Sequence, residues 1–249
     1  MPPICTHLAI AHDVSARLRH PVIDQNRGYY YLGSTAPDMR LFMKAGREQT
    51  HFLSLNSDEG ESGVWPMLEA YPELGNTNLS AATRAFIAGY LSHLVTDEAW
   101  IYRIYRPFFG EASGLKGTPI ANLLDRLLQF ELDRRARMNG ASISMIRSEI
   151  SSPVTGIGVR FIDSSNLKRW QEFVSIATSR RAHREDFRWF AEKYLACTRQ
   201  ISPEEQASFF ASFDSRLQEV LEIVPEEQIE SFREASIRDS VRVAKEYLG

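Results

Sequence analysis

His93 and Asp97 stand four residues apart in Gly89-Tyr90-Leu91-Ser92-His93-Leu94-Val95-Thr96-Asp97. Phe86, Tyr90, Ile101 and Ile104 recur around them at three- and four-residue steps. Residues with that spacing share one face of an α-helix. The pattern therefore puts an imidazole and a carboxylate, one turn apart, in an otherwise apolar stripe. Burying either is costly without a partner. A divalent cation suits both at once, and a simple i,i+4 hydrogen bond in a helical core is the plainer reading of the pair alone. Three more residues of ligand type, His7, Asp38 and His51, fall in the same half of the chain.

Each of the five needs an element to hold it. The central stripe implies a helix from about Asn78 to Tyr105. Thr6 is placed to cap a helix over 7–19 whose inward residues are His7, Ala11, Val14 and Leu18. His12 lies roughly 140° around that helix from His7, so it and Asp13 are expected to face solvent. His20, before Pro21, marks the helix end and is also read as a surface residue. Asp38 directly follows Pro37, where Gly33 to Pro37 interrupt a buried aromatic run, Tyr29-Tyr30-Tyr31. A carboxylate there is either a helix-starting cap or a ligand. His51 stands beside Phe52 after a short basic link, and read alone it is a core-edge histidine with one hydrogen bond. Residues 54–77 are rich in Ser, Asn, Asp, Glu, Gly and Pro, and read as a long loop anchored by Trp65 and Tyr71, with a short helix near Pro66 to Ala70. Loops of this length often form lids or rims of sites.

Pro119 opens and Gly140 closes a further helix. Its stripe is Ile120, Leu123, Leu124, Leu127, Leu128 and Leu132. Glu131 lies near that stripe, flanked by Asp125 and Asp133. The ordinary reading of Glu131 is solvated or Arg-paired. Helical segments follow near 142–151, 166–179, 181–199, 203–224 and 226–248, with a capping box at Ser202 and Glu205. Gly156-Ile157-Gly158-Val159 lacks the Lys-Ser/Thr of a phosphate loop. The expected architecture is a single all-α, multi-helix domain over residues 1–249. Residues 1–140 form its metal-site half. Residues 141–249 form a helical C-terminal extension serving as scaffold, substrate-side wall or homo-oligomer surface.

Composition narrows the function classes. The 249 residues carry a net charge of −3 and 43% hydrophobic residues, an ordinary soluble globular balance. The sequence contains no apolar run of the length a transmembrane helix needs. Met1 to His7 lacks the basic and apolar regions of a secretory signal. Cys5 and Cys197 have no metal-type spacing, and a reduced cytoplasmic setting is the expectation. Near-neutral charge argues against nucleic acid as a partner. The basic clusters Arg134-Arg135-Ala136-Arg137 and Arg180-Arg181 read as solvated helix faces.

Three imidazoles and two carboxylates suit Zn²⁺, and also Fe²⁺ or Mn²⁺. Five ligands exceed the needs of one structural zinc, and a carboxylate such as Asp97 could bridge two ions. The order of the motifs resembles the zinc-dependent phospholipase C family. The matching pieces are His7, Gly33-Ser34-Thr35-Ala36-Pro37-Asp38, Thr50-His51-Phe52, and Ala88-Gly89-Tyr90-Leu91-Ser92-His93-Leu94-Val95-Thr96-Asp97, covering roughly residues 5 to 105. The resemblance implies the all-helical fold shared with single-strand-specific zinc nucleases. It implies that Asp38, His51, His93 and Asp97 bind zinc, that His7 and Asp97 serve a second metal, and that Asp38 is a general base. Two features depart from the family. No histidine lies between His93 and His183, so a third metal site is absent or rebuilt from Glu131 or Asp133. The residues before His7 also differ from the metal-binding N-terminus of the secreted enzymes. The resulting expectation is a zinc-dependent phosphoester hydrolase, a phosphodiesterase using metal-activated water on a small-molecule phosphoester or phospholipid-like substrate. Tyr30, Tyr31, Trp65 or Arg40 is expected to line its pocket, from proximity in sequence alone. The alternatives are an iron-dependent or other non-phosphoester metalloenzyme, and a helical interaction module with a structural metal site.

Overall fold

In the computed structural model, residues 2–43, 46–53, 61–76, 78–152, 155–194 and 196–249 are described. The fold is all-α: among these residues there is no strand. The helices are α1 (Ile4–Leu18), α2 (Pro21–Asp24), α3 (Arg27–Gly33), α4 (Arg40–Met43), α5 (Glu48–His51), α6 (Val64–Ala70), α7 (Ala81–Trp100), α8 (Pro119–Met138), α9 (Gly140–Ile150), α10 (Ser164–Ser179), α11 (Arg184–Tyr194), α12 (Pro203–Ala211), α13 (Phe213–Ile223) and α14 (Glu226–Leu248). A 3₁₀ turn over Ala36–Met39 leads into α4, and a wider-wound π-helical stretch, Ile101–Phe109, continues α7.

α7 is the axis of the molecule. Every residue from Ala85 to Asp97 is buried, around the whole circumference. The sequence suggested one apolar stripe. A helix apolar on all sides is instead enclosed on all sides, and here α1, α3 and α14 enclose it. α7 starts at Ala81 rather than Asn78 because the Ser80 hydroxyl accepts the Thr83 backbone N–H at 3.1 Å, an ordinary N-cap. α14 lies along α7 through the edge-on pair Trp100–Phe232, with ring centroids 5.1 Å apart. It reaches α1 through Arg233 and Asp13 at 2.7 Å. The C-terminal helix thus packs on both α7 and α1.

Several boundaries differ from the sequence reading. α1 begins at Ile4, with Pro3 as its N-cap residue, and Thr6 lies inside it. The Cys5 N–H is satisfied from a distance, by Asp133 Oδ1 on α8 at 2.8 Å. Asp13 and His12 are half-buried, and His12 Nδ1 meets the Tyr31 hydroxyl at 3.1 Å. His20 uses Nδ1 to accept the Val22 N–H and cap α2. The helix read over 181–199 is α11 followed by a 3₁₀ segment, Ala196–Gln200. The one read over 203–224 breaks at Ser212 into α12 and α13. The expected short helix in the 54–77 loop is α6, while positions 54–60 and 77 lie outside the described residues.

α3 approaches α7 so closely that only glycine fits at the crossing. A Cβ on Gly89 would stand 2.0 Å from the Tyr30 carbonyl oxygen, and one on Gly33 would stand 2.0 Å from that of Phe86. Backbone atoms on both sides cannot move aside as a side chain would. Gly89→Ala should therefore destabilise the protein by about 2–3 kcal/mol or more, read as a lower urea midpoint by far-UV circular dichroism. An unchanged midpoint would mean that the two helices do not meet this closely.

Candidate metal centre

Four separate elements deliver the ligand-type side chains. His93 and Asp97 come from α7, His7 from the first turns of α1, Asp38 from the 3₁₀ turn after Pro37, and His51 from the last residue of α5. Each local turn has a reason. The Ser34 and Thr35 hydroxyls donate to the carbonyls of Tyr31 and Leu32 at 2.8 and 2.9 Å, ending α3. Pro37 then sits at the start of the 3₁₀ turn, where its missing N–H costs nothing. Phe52 adopts a left-handed φ of 54°, stopping α5 directly after His51. The Tyr90 hydroxyl donates to the Thr50 carbonyl at 2.6 Å. Gly63 packs on the His51 carbonyl so tightly that a Cβ there would lie 2.1 Å from its oxygen. Glu98 holds that segment by accepting from the Gly63 N–H at 2.8 Å and the Ser62 hydroxyl at 3.1 Å.

The structure brings all five side chains together. His51 Nε2 lies 3.4 Å from His93 Nε2, 3.2 Å from Asp97 Oδ2 and 3.7 Å from Asp38 Oδ1. His93 Nε2 lies 3.5 Å from Asp97 Oδ2. On the other side, His7 Nε2 lies 3.4 Å from Asp97 Oδ1, and its ring stacks on His93 with centroids 3.8 Å apart. Asp97 thus turns one oxygen toward His7 and the other toward His51 and His93. Two overlapping triads have ligand atoms within 4.8 Å of one another: His7 with Asp38 and His93, and His51 with His93 and Asp97.

These positions fit a divalent cation on three counts. A tetrahedral ion with ligands at about 2.1 Å spaces its donors roughly 3.4 Å apart, and the edges of the second triad are 3.4, 3.2 and 3.5 Å. The far ring nitrogens are fixed as metal-binding histidines require. His93 Nδ1 meets the Ser34 carbonyl at 2.9 Å, and His51 Nδ1 meets the Thr50 hydroxyl at 2.9 Å. Finally, both ring nitrogens of His7 and Asp97 Oδ1 are buried without a hydrogen-bond partner among the described residues. Buried polar atoms are seldom left so.

Electrostatics prepares the imidazoles for coordination. Burial pushes His7 below its ordinary value, seconded by His93. Burial also brings His51 down to about 4. Both rings are therefore neutral near pH 7, the form that binds metal. Burial opposes a charge on His93 as well, but Asp97 and Asp38 outweigh it and raise its pKa. Burial likewise resists ionisation of Asp97, yet His93, with His51 and His7 beside it, holds it well below the usual carboxylate range. Asp38 is also lowered, against burial, by His93 and His51. Burial lifts Glu98 to about 7, with the Gly63 and Ser62 hydrogen bonds acting against that rise.

Glu131 is Arg-paired, in keeping with its ordinary reading: it accepts from Arg134 at 2.6 Å and Arg135 at 3.0 Å. Asp133 pairs with Arg137 and takes the Cys5 N–H. Both carboxylates are thus engaged by arginines of α8, and neither belongs to the groups of converging ligand-type atoms found among the described residues. Tyr30 and Tyr31 are wholly buried core residues, and Trp65 is about half exposed. An open depression of about 830 Å³ is lined by Met43, Phe161, Asp163 and Asn166 among others, and none of the five ligand residues lines it. The sequence reading passed over Arg47, whose Nη2 lies 3.3 Å from Asp97 Oδ2. The available signal was its place one turn before His51.

Residues 6–100 match the family described as zinc dependent phospholipase C, the family that the motifs resemble. That span holds all five ligand-type residues. No curated protein and no solved structure gives a significant match.

A ligand that binds only the folded state stabilises it, by about 2.7 kcal/mol at one hundred times its dissociation constant. Zinc should therefore raise the melting temperature of the metal-free protein, and His51→Ala should remove most of that rise. Equal melting curves with zinc and with chelator would rule out the metal centre.

Proposed function

We propose that the chain hydrolyses a phosphoester with one or two zinc ions held by His7, Asp38, His51, His93 and Asp97. The observation that carries this reading is the triangle of His51 Nε2, His93 Nε2 and Asp97 Oδ2, whose edges match the donor spacing around a single ion. The family match over residues 6–100 supports zinc as the metal and a phospholipid-like diester or smaller phosphoester as the substrate. When bound, zinc supplies Lewis acidity at a phosphoryl oxygen and acidifies a water.

The side chains divide the remaining work. His51, His93 and Asp97 stand on the enclosed side, at most 2% exposed, and bind the cation away from bulk water. The Asp38 side chain is 22% exposed and marks the side from which solvent and substrate enter. A carboxylate at that edge is placed to accept the proton of the attacking water on Oδ1, which makes Asp38 our candidate general base. Asp97, with an oxygen toward each triad, is the residue able to serve two ions. The Ser34 carbonyl and the Thr50 hydroxyl keep the imidazoles aimed at the centre. Among the described residues no helix is long and apolar enough to cross a membrane.

The test combines elemental analysis with hydrolysis of an aryl phosphodiester and an aryl phosphomonoester. Purified protein should carry at least about one zinc per chain and cleave at least one of the two esters. His93→Ala, which breaks both triads, should lose the metal and the activity together, a fall of about a hundredfold or more. Zinc-loaded protein that cleaves neither ester would overturn the reaction assigned here.

A further inference from the structure

Arg47 is the buried charge that the metal-ligand reading leaves unexplained. Its side chain is only 14% exposed, and Nη2 reaches Asp97 Oδ2 at 3.3 Å. Its Nε and Nη1 are buried and donate to nothing among the described residues. Leaving two guanidinium donors unsatisfied in the interior is expensive. The residue is not loosely held. Its carbonyl accepts the N–H groups of Thr50 and His51 at 3.0 and 2.8 Å, so the turn that carries His51 also fixes Arg47. Asp97, Asp38 and Arg40 all lie close enough to act on its charge. Arg40, two residues after Asp38, has a buried Nε that is likewise without a partner.

The charges point the same way. Two carboxylates beside two guanidinium groups are close to balance. Each divalent cation added to that set leaves positive charge in a poorly solvated place, and a bound anion removes it. A guanidinium fork matches the geometry of phosphoryl oxygens, which it binds through paired N–H donors. A phosphomonoester carries about −1.5 to −2 near pH 7, more than the single charge of a diester. We propose that Arg47, seconded by Arg40, holds the non-bridging oxygens of a dianionic phosphoryl group at the metal centre, so that the site prefers phosphomonoesters over phosphodiesters with neutral or zwitterionic head groups. This rests on the phosphoester reading of the same site and deepens it.

Inorganic phosphate is the probe, titrated calorimetrically into zinc-loaded protein. Arg47→Met should keep its zinc, bound as tightly as before or more so, because a like charge beside the cation has gone. Its phosphate dissociation constant should rise at least tenfold, and Arg47→Lys should recover part of the loss. The kcat/KM for an aryl phosphomonoester should fall in Arg47→Met by a clearly larger factor than that for an aryl phosphodiester. If Arg47→Met does not fold, Arg47→Lys is read alone, and a threefold or greater loss of phosphate affinity supports the assignment. Unchanged phosphate affinity in the variants overturns it, as does wild-type protein that ignores millimolar phosphate. Equal losses on the two esters overturn the preference for a dianion. A drop in zinc affinity without a drop in phosphate affinity would reduce Arg47 to a tether for Asp97 and also overturn it. Arg47-dependent phosphate binding in a protein that cleaves neither ester would sink the hydrolase reading and leave the anion site standing.

Discussion

The constraint on which the structure turns is a carboxylate in the middle of a fully enclosed helix. Asp97 sits on α7, at the end of a run from Ala85 in which every residue is out of water. An ionised group in such a place survives only with partners around it. Three imidazoles and a guanidinium supply them, from α1, α5, α7 and the segment before α5. Three stretches far apart in the chain, α1, α5 with the residue before it, and α7, are thereby obliged to converge on one side chain. Removing any one of them would strand buried polar atoms.

The devices that make the fold are largely the ones that aim the site. The glycine crossing of α3 and α7 brings the Ser34 carbonyl to His93. Gly63 rests on the carbonyl of His51, and Glu98, the neighbour of Asp97, clamps it there. Tyr90, one turn before His93, holds the residue preceding His51. α7 therefore contributes two ligand-type residues directly and also positions a third through side chains on its flank. Rigid supports of this kind are what a metal or catalytic centre needs to keep its ligands in place.

Polarity is graded across the centre. The α7 side offers imidazoles and a carboxylate shielded from solvent, whereas Asp38 faces outward and Arg47 lies between the two. A cation held on the dry side and an anion approaching from the wet side would each meet complementary charge. The low dielectric around Asp97 strengthens both attractions.

The sequence alone was sufficient for whatever local periodicity dictates. The i,i+4 spacing of His93 and Asp97, the inward placing of His7, the proline that opens α8, the capping box at Ser202 and the helical class all follow from short-range geometry. Residue chemistry also marked out His7, Asp38 and His51 as ligand types. Tertiary structure decided everything that depends on long-range approach. It placed the five side chains a few ångströms apart and chose which nitrogen of His51 and His93 faces the centre. It drew Arg47 onto Asp97, and it used Asp133 to satisfy the start of α1 rather than to bind metal. Spacing along a chain reports which face of a helix a residue occupies. It is silent on which other face will be packed against it, because that is set by the close approach of helices distant in sequence.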